Sequence, residues 1–198
     1  MSNLHLVLFK SRNKDNQHLK NDKNKNYKQR TYQFLTHKST NDPELKQMFN
    51  SFVEKGLLGE VSRFYYSVNA RSEQKVQKAL MHHMLDTDVD LTNVESLTAK
   101  LAAKVENRAE NKWLFDCDFN DKNMFESFLK DVKSQSKDPK VVETVKETKN
   151  GYHVVVKHGF DTRKLLETYP DVSLKRDEFL YVDSKENHQQ LTWVYEID

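Results

Sequence analysis

An α+β chain is predicted, with an N-terminal α/β unit over 1–110 packed on a β-α-β-β-α-β core over 111–198, the whole acting as a single domain. Three observations carry that expectation. Short runs of aromatic and β-branched residues alternate with segments whose apolar residues recur at three-and-four spacing. A Lys149-Asn150-Gly151 turn joins two of the later runs as a hairpin. The chain has 198 residues, 36% of them hydrophobic and 11% aromatic, enough to bury a core without cross-links.

The first unit opens with an apolar run at 4–9, suited to a buried strand. Between 10 and 30 eight basic residues face only Asp15 and Asp22, a local charge of +6 that is expected to be too polar to pack. Strands are expected at 32–37 and 61–69, the second rich in aromatic and β-branched residues. A helix lies between them: Asn41-Asp42 precedes Pro43, then Leu45, Met48, Phe49, Phe52 and Val53 follow at helical spacing, and Gly56 closes it. Ser72 caps a further helix with Val76, Ala79, Leu80 and Met84 as its apolar stripe. Another starts near Asn93 and carries Val94, Leu97, Leu101 and Val105.

In the second unit a strand at 113–119 leads into a helix begun by Asn120 or Asp121, with Met124, Phe125, Phe128, Leu129 and Val132 on one face. Strands at 141–146 and 152–157 flank the hairpin turn. A short helix from Asp161 through Leu166 stops near Pro170, and a last strand lies within 172–182. This is the split-βαβ order of ferredoxin-like and RNA-recognition-motif domains, in which the first and third strands are central neighbours.

Composition excludes several classes. The single Cys117 cannot form an intramolecular disulfide or a multi-cysteine metal site. A mean hydropathy of −0.88, without a long apolar run or a leader-like start, predicts an unexported chain with no membrane partner. The 32 Lys and Arg nearly balance the 30 Asp and Glu, so any affinity for nucleic acid must be local. The basic segment at 10–30 is its candidate place, with Lys20, Lys23, Lys25 and Lys28 as phosphate contacts, against the alternative of a solvated loop.

Asp116 and Asp118 stand two apart on a predicted strand, so both carboxylates share a face, and Cys117 points the other way as a buried thiol. Crowded hard oxygen ligands suit Mg²⁺ or Mn²⁺ bridging substrate phosphates. His153 follows the hairpin glycine on the strand expected next to theirs. A third carboxylate comes from the final strand: Asp177, placed by alternation on one face with Lys175, or Asp183, with Asp177 slightly preferred because Asp183 is expected to lie near or past the strand end. Arg63, Arg71, Lys149, Lys157 and Lys175 are the candidate phosphate-binding cations.

In that order Asp116-Cys117-Asp118, then Thr148 to His153, then a carboxylate on the last strand resemble the three motifs of the archaeo-eukaryotic primase superfamily, including its small phage-encoded members. The resemblance covers about half the chain in element order and the N-terminal half loosely. It implies two-metal nucleotidyl transfer on a single-stranded template, as a DNA primase or primer-extending polymerase. Under it Asp116, Asp118 and Asp177 or Asp183 hold the Mg²⁺ or Mn²⁺ ions, and His153 contacts the phosphates of an incoming nucleoside triphosphate. A replication protein is the further partner it suggests, and the cytoplasm of a bacterium or phage-infected cell is the location it implies.

Two other classes stay open. A non-catalytic module would use the sheet and its aromatic residues to bind single-stranded nucleic acid. A metal-dependent nuclease would use Glu147-Thr148-Lys149 with Asp116. His82 and His83, adjacent on a helix, point about 100° apart and cannot grip one metal together.

Overall fold

The structure is a computed structural model, and it describes residues 4–21 and 26–188. Among the described residues, eight strands form two antiparallel four-stranded sheets. The first runs in the order β2-β1-β3-β8 and is made of β1 (His5–Ser11), β2 (Arg30–Thr36), β3 (Val61–Ser67) and β8 (Phe179–Glu186). The second runs β5-β6-β4-β7, from β4 (Trp113–Cys117), β5 (Val142–Glu147), β6 (Tyr152–Val156) and β7 (Val172–Lys175).

Alternation in β1 splits the first core in two. Val7 and Phe9 face helix α2 (Pro43–Glu54), where they meet Leu45, Phe49 and Val53. Leu6 faces the other way, onto Val76 of α3 (Glu73–Asp86) and Ala99 and Ala102 of α4 (Val94–Ala102). Helices therefore cover this sheet on both faces. Two of the three helix starts expected in this unit are capped by side chains: Asp42 accepts a hydrogen bond from the Glu44 amide with Pro43 in the first turn, and Ser72 accepts from the Lys75 amide, whereas Asn93 at the start of α4 makes no such bond.

The second sheet is helix-covered on one face. Phe115, Cys117, Val154, Val156 and Val172 pack on Phe125, Phe128 and Val132 of α5 (Lys122–Ser136) and on Leu165 of α6 (Arg163–Thr168). On the opposite face Leu114 and Val155 are sealed by Val68 and Leu180, at the edge of the first sheet. Burying an aliphatic side chain of this kind stabilises by about 1.5–3 kcal/mol, so this small cluster joins the two sheets.

Two expectations need correction. The run 172–182 is two strands, not one. After β7 the chain turns through Arg176, Asp177 and Glu178, and β8 returns to pair with β3, so the first sheet is finished by residues from the second unit. No glycine or proline marks that break, and apolar residues continue on both sides of it.

The segment 10–30, expected to be too polar to pack, does pack in part. Asn16 is fully buried because its side chain takes the place of a strand partner: its amide donates to the carbonyls of Arg12 and Val61, and its oxygen accepts from the Val61 amide at 2.6 Å. The one-turn helix α1 (Gln17–Lys20) then buries Leu19. Lys20 and Lys28 are exposed, while Lys23 and Lys25 lie outside the described residues.

Candidate functional site

The register of the second sheet builds the site. On β4, Asp116 sits directly between His153 of β6 and Ser173 of β7, and Lys146 of β5 lies beyond His153. These four form a row across the sheet. Phe115 and Cys117 point into the helix-covered core, so the row faces the other way, toward the first sheet. Lys175 stands one step along, paired with Leu114. The Asp118 amide continues the ladder by donating to the Asp171 carbonyl at 2.9 Å, so alternation keeps Asp118 on the Asp116 face at the exposed strand end.

Gly151 fixes the turn that delivers His153. A Cβ there would fall 1.9 Å from the Cys117 carbonyl oxygen, so the hairpin can close over the end of β4 only with glycine at this position.

His153 is held at both nitrogens. The Tyr181 amide, on β8, donates to Nδ1 at 3.3 Å, and Nε2 lies 3.2 Å from Asp116 Oδ1. Because Nδ1 accepts, the proton sits on Nε2 and is donated to the carboxylate; these hydrogen bonds assign the neutral tautomer. The hydrogen bond from His153 is the main reason that the Asp116 carboxyl is held below the usual carboxylate range; partial burial opposes it, and the charge of Lys175 assists. Burial, with the two neighbouring aspartates, pushes the Cys117 thiol up to about 12, so it is an inert core residue.

The proposed third carboxylates lie elsewhere. Asp177 is on no strand: it occupies the turn between β7 and β8, and both of its oxygens accept from Arg71, at 2.9 and 3.0 Å. The two side chains are only 9% and 3% exposed, and Asn69 adds a further donor to Asp177. This is a buried ion pair, and it also removes Arg71 from the candidate phosphate ligands. Asp183, expected near or past the strand end, lies within β8 and is paired with Phe64 in the first sheet. Among the described residues no group of three or more His, Cys, Asp or Glu side chains is placed to hold a metal ion.

Of the remaining cations, Arg63 bonds Asp15, which Arg12 also grips. Asp15 is partly buried, which favours its neutral form, but the two guanidinium groups outweigh this and hold its carboxyl below the usual range. Lys149 and Lys157 are exposed at the turn and just past β6. Glu147 ends β5 opposite Tyr152, one strand removed from β4. Neither of two surface concavities, one lined by Lys75, Arg108 and Glu110, the other by Tyr32, Glu95 and Lys100, includes a residue of the Asp116 row.

Three contributors were missed from sequence. Lys146 and Ser173 were open to alternation once the strand order was known. Tyr181 acts through its backbone amide, which no side-chain pattern advertises.

Two carboxylates without a third protein ligand do not make a closed cage for a free ion. They do suit Mg²⁺, which commonly binds one or two carboxylates and completes its shell with water and substrate phosphates. Comparison with protein-family models, with curated proteins and with solved structures finds no match to this chain.

Proposed function

We propose that this chain is a divalent-metal-dependent nucleotidyltransferase, of DNA primase or primer-extending polymerase type, that acts on a single-stranded template. The observation that carries the reading is the Asp116–His153 pair on adjacent central strands, with Asp118 one step beyond. The strand order β5-β6-β4-β7 within a β-α-β-β-α-β succession supports the finer fold reading, a split βαβ resembling an RNA-recognition motif.

In this reading Asp116 and Asp118 hold Mg²⁺ or Mn²⁺ that arrives with the nucleoside triphosphate. Such an ion, when bound, neutralises phosphate charge and makes the attacking hydroxyl more acidic. The chain's own groups supply the rest. His153 keeps Asp116 ionised and presents one N–H, which a phosphate oxygen can accept in place of the carboxylate. Lys175 and Lys146 add positive charge along the same face. His153 is thereby both a positioning residue for Asp116 and a candidate phosphate donor.

The lack of a third metal-binding side chain among the described residues favours a second reading, a non-catalytic module of the same fold that binds single-stranded nucleic acid. One experiment separates the two. The protein is incubated with a single-stranded DNA template, ribo- and deoxynucleoside triphosphates, and Mg²⁺ or Mn²⁺. New strands that disappear in a folded Asp118→Asn variant support transfer. Template binding without synthesis supports the module, and cleavage of the template would point to the nuclease.

A further inference from the structure

Helix α3 carries two apolar stripes, and the described chain covers one of them. Val76, buried on Leu6, Ala99 and Ala102, marks the covered face, and Ala79, Leu80 and His83 along it are half-buried. Met84, expected on that stripe, instead belongs to a second one with Met81 and Leu85, at the i, i+3, i+4 positions of the outer surface. Their exposures are 44%, 63% and 82%. Leu91, opening the 3-10 turn Leu91–Asn93 that follows, is 75% exposed. Half of the eight large hydrophobic residues exposed among the described residues thus fall within positions 81–91. Scattered exposed apolar residues are ordinary; a concentration on one helix end marks an interaction surface.

Charge says what kind of partner fits. From Ala79 to Ala99 the chain has no lysine or arginine, although the two types make up 32 of its 198 residues. The same stretch holds Asp86, Asp88 and Asp90, which follow the ridge directly, and Glu95, which accepts from the Tyr32 hydroxyl of β2. Asp90 is held ionised by hydrogen bonds from Thr92 and Asn93. An apolar ridge beside a block of carboxylates is complementary to apolar residues flanked by lysine or arginine. It repels nucleic acid and anionic lipid surfaces. A two-fold pairing of two copies through this corner would set the two acidic blocks against each other. Three apolar side chains at helical spacing form a ridge that packs into the groove of another helix.

We propose that the outer face of α3, with Leu91, docks a basic amphipathic helix of another protein. The surface is built from residues remote in sequence from the Asp116 row, and the proposal stands whether or not that row transfers nucleotides.

The test uses the full chain and fluorescein-labelled peptides of about five helical turns, with leucine along one stripe and lysine elsewhere, or glutamate in place of lysine. Fluorescence anisotropy reads binding. The lysine peptide is expected to bind saturably at one per chain, and the glutamate peptide is not. Met81→Glu/Leu85→Glu, which alters exposed positions and is checked for an unchanged melting curve, is expected to weaken binding by about tenfold or more. Asp86→Asn/Asp88→Asn/Asp90→Asn is expected to flatten its salt dependence. Equal binding of both peptides, or unchanged affinity in the Met81/Leu85 variant, overturns the proposal. So does a concentration-dependent dimer that this variant abolishes, or binding of the chain through this face to phosphatidylserine vesicles.

Discussion

His153 and Asp116 make opposite demands on a substitution. Asp116→Asn keeps the shape but loses the charge that His153 and Lys175 stabilise. The folded carboxyl titrates below its ordinary value of 3.8, so its contribution to stability is present above about pH 4 and is lost as pH falls through the lower folded value. The variant is therefore expected to lose less stability than the parent between pH 4 and pH 2, as measured by urea unfolding at each pH. His153→Ala removes the acceptor for the Tyr181 amide as well as the donor to Asp116. It is expected to lower the melting temperature and to weaken nucleoside-triphosphate binding beyond the change in folded fraction. Normal binding by the folded variant would leave His153 with a structural role alone.

At the scale of elements, Asp177 shows how a residue can suit one job in the sequence and hold another in the fold. Its alternation with Lys175 made it a plausible third ligand, but its partner Arg71 is 106 positions away, and nothing local signals the pairing. Asp177→Ala leaves a buried guanidinium unpaired and is expected to cost about 3–5 kcal/mol in denaturant unfolding. Arg71→Met/Asp177→Leu is expected to recover much of that loss. A mild effect of Asp177→Ala would mean that the pair is solvated rather than buried. Gly151→Ala sets a methyl group against the Cys117 carbonyl, and the hairpin must shift; a loss of about 1–3 kcal/mol is expected, as for other overpacked sites. The helices and most strands were legible because alternation, caps and turn residues are local. The neighbouring of Asp116 and His153 followed from the element order. The folding of 10–30 around Asn16 was not legible, because one buried amide with three backbone partners looks, in sequence, like any other asparagine in a polar run.

Across the whole molecule, the two sheets meet through a few side chains and one strand edge. Val68 and Leu180 lie on Leu114 and Val155, and the Tyr181 amide reaches His153. Leu180→Asp would put a charge into that joint, and its effect should reach both sheets. Hydrogen exchange is expected to quicken in β3 and in β4 together, whereas independent units would confine it to β3 and β8.

The return of β8 to the first sheet also has a meaning in time. Four strands and four helices are made between β3 and β8. As the chain leaves the ribosome, the outer edge of β3 has no partner through all of that synthesis. Contacts so distant in sequence form slowly, and an open strand edge is the kind of surface on which nascent chains associate wrongly. The last of the described strands both closes that edge and supplies the amide that orients His153, so the first sheet and the Asp116 row reach their final form in the same late event.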